Sequence, residues 1–92
     1  MIQSFSCKDT QALAAGAQPK KFRGLERQAL RNLNLMFLAK QVEDLWIPPG
    51  NRLEKLAGNR AGQWSIWIND QWRVCFKWGV DGAEDVEIVD YH

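Results

Sequence analysis

The sequence is poor in the residues that build most chemical centres. Its two cysteines, Cys7 and Cys75, stand far apart along the chain, and its single histidine is His92. No Cys/His spacing of a metal site can be drawn from them, so metal and cofactor chemistry is not expected. No glycine-rich loop is present to cradle a phosphate; "GNR" at Gly50 and again at Gly58 reads as two turns. No Ser–His–Asp set stands out. No apolar run approaches the ~18 residues of a membrane span. The opening "MIQSFSCKDT" has no basic region followed by an apolar stretch, so no signal peptide and a cytoplasmic location are expected. In that compartment two free thiols are expected rather than a disulfide. Internal repeats and low-complexity tracts are missing too, which removes solenoids and linkers from consideration.

What is present suits one small domain spanning residues 1–92, with 46% hydrophobic and 25% charged residues, an ordinary soluble globular balance. Net charge is only +1, but it is unevenly laid out. Residues 1–60 hold ten Lys or Arg against five Asp or Glu, and residues 61–92 hold two against six. A basic half of this kind is either a solvated surface or a surface for phosphates.

Along the chain, "MIQSF" alternates as a strand with Ile2 and Phe5 partly buried, and "CKDTQALAAG" reads as a short helix that Asp9 or Thr10 can cap. "LERQALRNLNLMFLAK" is a longer helix. Leu25, Ala29, Leu33 and Met36 share a stripe that Leu30 and Phe37 widen, while Glu26, Arg27, Arg31, Asn32 and Asn34 face away. "QVEDLW" adds a final turn, and "IPPGNR" must be a shaped loop. "RLEKLAG" reads as a short extended segment. "QWSIWIN" and "WRVCFKW" then alternate: Trp64, Ile66, Ile68, Trp72, Val74, Phe76 and Trp78 on one face, with Ser65, Trp67, Arg73, Cys75 and Lys77 on the other. "GVDGAED" reads as a longer turn before the closing strand "VEIVDYH". Short connections make consecutive strands antiparallel. The expected fold is α+β: two N-terminal helices packed on one face of a twisted antiparallel sheet of four or so strands. Of the five tryptophans, Trp64 and Trp72 are expected in the core first.

The other sheet face offers Ser65, Trp67, Arg73 and Lys77. A tryptophan among cations suits a polyanion with stackable bases, or Trp67 packs under a loop or the tail. Arg73, inside an aromatic and β-branched strand, either grips a phosphate or pairs with Glu87 or Glu54 across the sheet. Arg52, Lys55 and Arg60 make "NRLEKLAGNR" basic around Glu54. The chain closes on Asp90, Tyr91 and His92. His92 is the one side chain with an ordinary pKa near neutrality, about 6.5; it is an idle terminus or a proton carrier that Asp90 orients. On a regular strand these three side chains alternate faces, so the strand must end or twist near Asp90 for them to converge. One reaction uses Arg, Tyr, His and carboxylates together: cleavage of RNA by its own 2′-hydroxyl. It needs a base, cations for the phosphorane and an acid for the departing 5′ oxygen.

The tract "PPGNRLEKLAGNRAGQWSIWINDQWRVCFKW", with the opening "MIQSF" and the ending "VEIVDYH", resembles the HigB branch of the RelE superfamily of bacterial toxins, and within it the GraT-like killer proteins. The resemblance implies the fold derived above and a toxin of a type II toxin–antitoxin module. It also implies an endoribonuclease that enters the ribosomal A site and cuts mRNA without a metal. Its implied partners are mRNA on the ribosome and a HigA-like helix-turn-helix antitoxin. By the same resemblance Arg73 contacts the scissile phosphate and Asp90, Tyr91 and His92 form the catalytic ending. Some relatives carry His where this chain has Glu54 and Lys where it has Ala57, and others carry lysines at Ser65 and Trp67. The general base is therefore Glu54 or His92. Arg52, Lys55, Arg60, Trp67 and Lys77 are the expected RNA-binding residues. Two competing readings keep the fold: a ParE-like toxin that inhibits gyrase, and a non-catalytic protein-binding module.

Overall fold

The longest segment free of proline and glycine between residues 25 and 40 does form the main helix. In the computed structural model, which describes residues 1–90, helix α1 spans Lys8–Ala14 and helix α2 spans Glu26–Leu38. Leu25, Ala29, Leu33 and Met36 are all buried, as the stripe demands. The stripe is narrower than the pattern suggests, since Leu30 and Phe37 are exposed. On its other flank Asn32, expected to face away, is fully buried because its amide donates to the Trp67 carbonyl at 2.9 Å. A polar side chain is tolerated there because it ties the helix to a strand end. Cys7, rather than Asp9 or Thr10, sits at the start of α1. Thr10 is used elsewhere: its buried hydroxyl accepts the Ile88 amide at 3.0 Å, fastening α1 to the sheet. "VEDLW" is a separate 3-10 turn, Val42–Trp46, not a continuation of α2.

The sheet has four antiparallel strands in sequential order: β1 Glu54–Lys55, β2 Trp64–Trp67, β3 Trp72–Gly79 and β4 Gly82–Asp90. The opening segment adds to the far edge, with Ile2 and Phe5 bridged in parallel to Ala83 and Val86 of β4. The β2–β3 connection is held by the Asn69 carboxamide, whose oxygen accepts the amides of Gln71 and Trp72, both at 2.8 Å. This is the local bond that makes Asn a turn residue. The stretch "GVDGAED" is not a long turn. Only Val80 and Asp81 lie between Gly79 and Gly82, which pair with each other, and "GAED" belongs to β4. Its residues have little strand preference of their own, but they are paired on both sides, by β3 and by the opening segment. Gly82 is required there: its φ is +127°, and a Cβ would collide with the Met1 carbonyl. A register shift between Cys75 and Lys77 marks a bulge. Nearby Asp85 has φ +52°, its amide donating to the Ser4 hydroxyl and its carbonyl accepting the Ser6 hydroxyl.

The alternation of β2 and β3 determines the two faces. Ile66, Ile68, Val74, Phe76, Val86 and Ile88 are buried against Leu33, Met36 and the rest of the helical layer. Trp64, Trp72 and Trp78 are half-buried at the margin of this core, and Trp72 meets Phe22 edge-on at 5.7 Å. Both cysteines are free thiols. No helix among the described residues is long and apolar enough to cross a membrane.

Candidate active site

The face away from the helices carries the charged and polar residues of β2 and β3, and strand register brings several of them side by side. Arg73 lies between Trp67 on β2 and Val89 on β4. One pair along, Glu54, Ser65, Cys75 and Glu87 form a row across all four strands. Arg73 Nη1 reaches diagonally to Glu54 Oε2 at 3.3 Å. The Arg73 side chain is 20% exposed and that of Glu54 56%, so the guanidinium is partly sunk in the sheet while its carboxylate partner faces water. Of the two carboxylates that could have paired with Arg73, Glu87 is instead taken by Arg60, at 3.0 Å. Arg60 also donates to Gln63 Oε1 at 2.9 Å.

Beneath these charges lie two small buried side chains. Ser65 Oγ is shielded from solvent and finds no hydrogen-bond partner among the described residues. Cys75 beside it is fully buried, and burial pushes its thiol above the usual value. Glu87 adds to that shift while Arg60 and Arg73 oppose it. The row therefore has a neutral floor, with its charged groups lying above it. Neither Ser65 nor the Arg60–Glu87 brace stands out in sequence, because pairing across four strands is invisible until the register is known.

The remaining expected site residues are distributed as follows. Arg52 lies over the Trp67 ring, its guanidinium carbon 4.5 Å from the centroid. Lys55 pairs with Trp64 and lies 5.8 Å from that ring's centroid; strand alternation puts it on the opposite side of β1 from Glu54. Lys77 shares the Arg73 face but sits four residues along β3, roughly 13 Å away at ordinary strand rise, with its ammonium 3.5 Å from Asp85. Asp90 pairs with Trp72 and accepts Gln71 Nε2 at 3.1 Å. Val89, not Asp90, occupies the Arg73 face at this register. Tyr91 and His92 lie outside the described residues. The described part of β4 ends at Asp90, one residue past Val89, the cross-strand partner of Arg73.

A further cavity of about 340 Å³ lies on the helical side, lined by Ile2, Phe5, Leu30, Leu33 and Phe37 among others. Its lining holds no titratable side chain.

The chain is a helical layer on one side of a sequential antiparallel sheet, with the charged sheet face open. It superposes on a chain of the YoeB–YefM complex from Staphylococcus aureus with a TM-score of 0.57 at 14% identity, over 100% of this chain and 98% of that one. Residues 15–92 match the family described as the RelE-like toxin of type II toxin–antitoxin system HigB. Over 68 residues the chain is 43% identical to Toxin HigB-1 of Vibrio cholerae, spanning 74% of this chain and 70% of that protein. The chain belongs to the HigB family of RelE-like toxins of type II toxin–antitoxin systems. A toxin of such a system has an antitoxin as its partner.

Proposed function

We propose that this toxin is a ribosome-dependent endoribonuclease that cuts mRNA in the A site by attack of the 2′-hydroxyl on the adjacent phosphate. The observation that carries this reading is the Arg73–Glu54 pair at the open sheet face, one register step from the end of β4. A carboxylate resting on a guanidinium occupies the position a phosphate oxygen would take. When RNA binds, its phosphate replaces the carboxylate on Arg73, and Glu54 is released beside the reacting nucleotide.

In the reaction, Glu54 or His92 takes the 2′-hydroxyl proton and the 2′ oxygen forms a bond to phosphorus. Arg73 stabilises the extra negative charge of the phosphorane, which is worth more in the transition state than in the ground state. The bond to the 5′ oxygen breaks, and Tyr91 or His92 returns a proton to that oxygen, with Asp90 orienting His92. The products are a 2′,3′-cyclic phosphate and a 5′-hydroxyl. Arg60 and Lys77 hold flanking phosphates, while Lys55, on the other side of β1 against Trp64, drops out of that set. The ribosome presents the mRNA, so a single small domain of net charge +1 need not bind it strongly alone. The partner that restrains the toxin is a HigA-like helix-turn-helix antitoxin, and the site of action is the cytoplasm.

Cleavage mapping on a defined mRNA, with and without ribosomes, tests this. Cuts that require the ribosome and fall sharply in Arg73→Ala and His92→Ala are expected. Wild-type cleavage by both variants refutes the assignment. Toxicity with intact mRNA and damaged DNA would instead favour inhibition of gyrase.

A further inference from the structure

Arg52 is one of two non-glycine residues with positive φ among the described residues, at +47°. An L-residue there is uncommon and strained, and such positions persist only where their surroundings hold them. The restraint is visible. Asn51, fully buried, donates from its amide to the Leu45 carbonyl at 3.2 Å, and the Arg52 amide donates to Pro49 at 3.1 Å. Buried Leu53 follows on the other side. The loop is thus pinned before and after Arg52, while Arg52 itself is exposed. The outcome of this backbone geometry is a guanidinium placed over the Trp67 ring, 4.5 Å from its centroid. Trp67 in turn is the cross-strand neighbour of Arg73.

A phosphate contact does not require such an arrangement. A cation that meets a phosphate gains from reach and rotational freedom, and an exposed lysine on any nearby loop would serve. A planar cation held over an indole offers something different: a second π-like surface and less rotamer freedom left to lose on binding. Unstacked RNA bases are received on aromatic rings and on Arg guanidinium planes. We propose that Arg52 and Trp67 form a nucleobase-stacking subsite. The solvent side of the Arg52 guanidinium receives the base of a nucleotide neighbouring the phosphate held by Arg73.

This inference rests on the reading of the sheet face as an RNA site and adds to it a position where a base, rather than the backbone, is recognised. Stacking is tolerant of base identity but grows with ring area, so the subsite favours purines over pyrimidines at that nucleotide.

The test uses the full chain and a short single-stranded RNA carrying 2′-O-methyl groups throughout, which cannot be cleaved by its own hydroxyl. Binding is read by fluorescence anisotropy, with an abasic site placed at each position in turn. One abasic position is expected to weaken binding by roughly tenfold, within the range for loss of one stacked base. Arg52→Lys keeps the charge and loses the plane, and should abolish the sensitivity to that position. Arg52→Gly, which accepts the same backbone without strain, should do likewise, and Trp67→Phe should preserve part of it. Equal binding by Arg52→Lys and wild type, equal tolerance of all abasic positions, or no binding of the oligomer at all overturns the subsite. The two proposals fail separately. A chain that shows the abasic pattern but never cuts translated mRNA keeps the subsite and loses the nuclease. An Arg52→Lys variant that cuts at wild-type positions and rates keeps the nuclease and loses the subsite.

Discussion

Replacing Glu54 by Gln separates what the Arg73–Glu54 contact does for the fold from what it does for chemistry. The contact is a single N–O approach of 3.3 Å, longer than the 2.7–2.9 Å usual for a charge-assisted bond. Glu54 is 56% exposed, so water screens the pair and the surface range of about 0.2–1 kcal/mol applies. The neutral amide that replaces the carboxylate keeps the size of the side chain, so no cavity forms. For a domain of this length 1 kcal/mol moves the melting midpoint by about 4–8 °C, which makes that the upper bound on the expected shift. Cleavage behaves differently. If Glu54 takes the 2′-hydroxyl proton, its loss removes general-base catalysis worth about 10²–10⁴-fold. The two measurements are a thermal melt and single-turnover cleavage of ribosome-bound mRNA, on the same preparation. A large rate loss with a small melting shift is expected. Unchanged cleavage refutes Glu54 as the base and leaves His92 in that role. A melting shift well beyond about 8 °C refutes the treatment of the pair as an exposed, weakly stabilising contact.

Three further outcomes follow from the geometry. Thr10→Val should destabilise the fold by about 1–3 kcal/mol in chemical denaturation, because the buried Ile88 amide loses its acceptor; Thr10→Ser should restore most of this. The two thiols should differ under alkylation. At Cys7 burial raises the thiol, but hydrogen bonds from Thr10 and Asp9 and the charge of Lys21 outweigh it and bring the thiol below its ordinary value, whereas burial holds Cys75 above it. Iodoacetamide near pH 8 should therefore modify Cys7 first and reach Cys75 only after unfolding. Since the native Cys75 thiol binds its proton more tightly than the unfolded one, its contribution to stability is full below the unfolded value, about 8.5, and declines as pH rises above it. Asp44 works in the opposite sense. The Lys40 and Gln41 amides, at 2.9 and 3.2 Å, hold its carboxyl below the ordinary range. Its contribution is present above the unfolded value, about 3.9, and fades as pH falls through and below it. Asp44→Asn should flatten stability against pH in that acid window alone.

Local pattern was enough for the α+β class, for the two helices and for the opposed faces of β2 and β3. Each follows from a short-range rule: a 3.6-residue stripe at Leu25, Ala29, Leu33 and Met36, and a period of two from Trp64 to Trp67 and from Trp72 to Trp78. The same rules placed Arg73 and Trp67 on one face, because alternation within a strand needs no knowledge of its neighbours. They failed where partners lie far along the chain. "GAED" looked like a turn because its strand character comes from β3 on one side and Ile2–Phe5 on the other. Asn32 looked exposed because the carbonyl that buries it belongs to Trp67, 35 residues on. Which carboxylate meets which arginine was likewise undecidable in sequence. Glu54 and Glu87 flank the same row, and only the diagonal offset between strands gives Glu54 to Arg73 and Glu87 to Arg60. Side-chain periodicity is a property of one segment and can be read from it. Register and loop placement are set by whichever long-range packing has the lowest free energy, and that choice exists only in the folded chain.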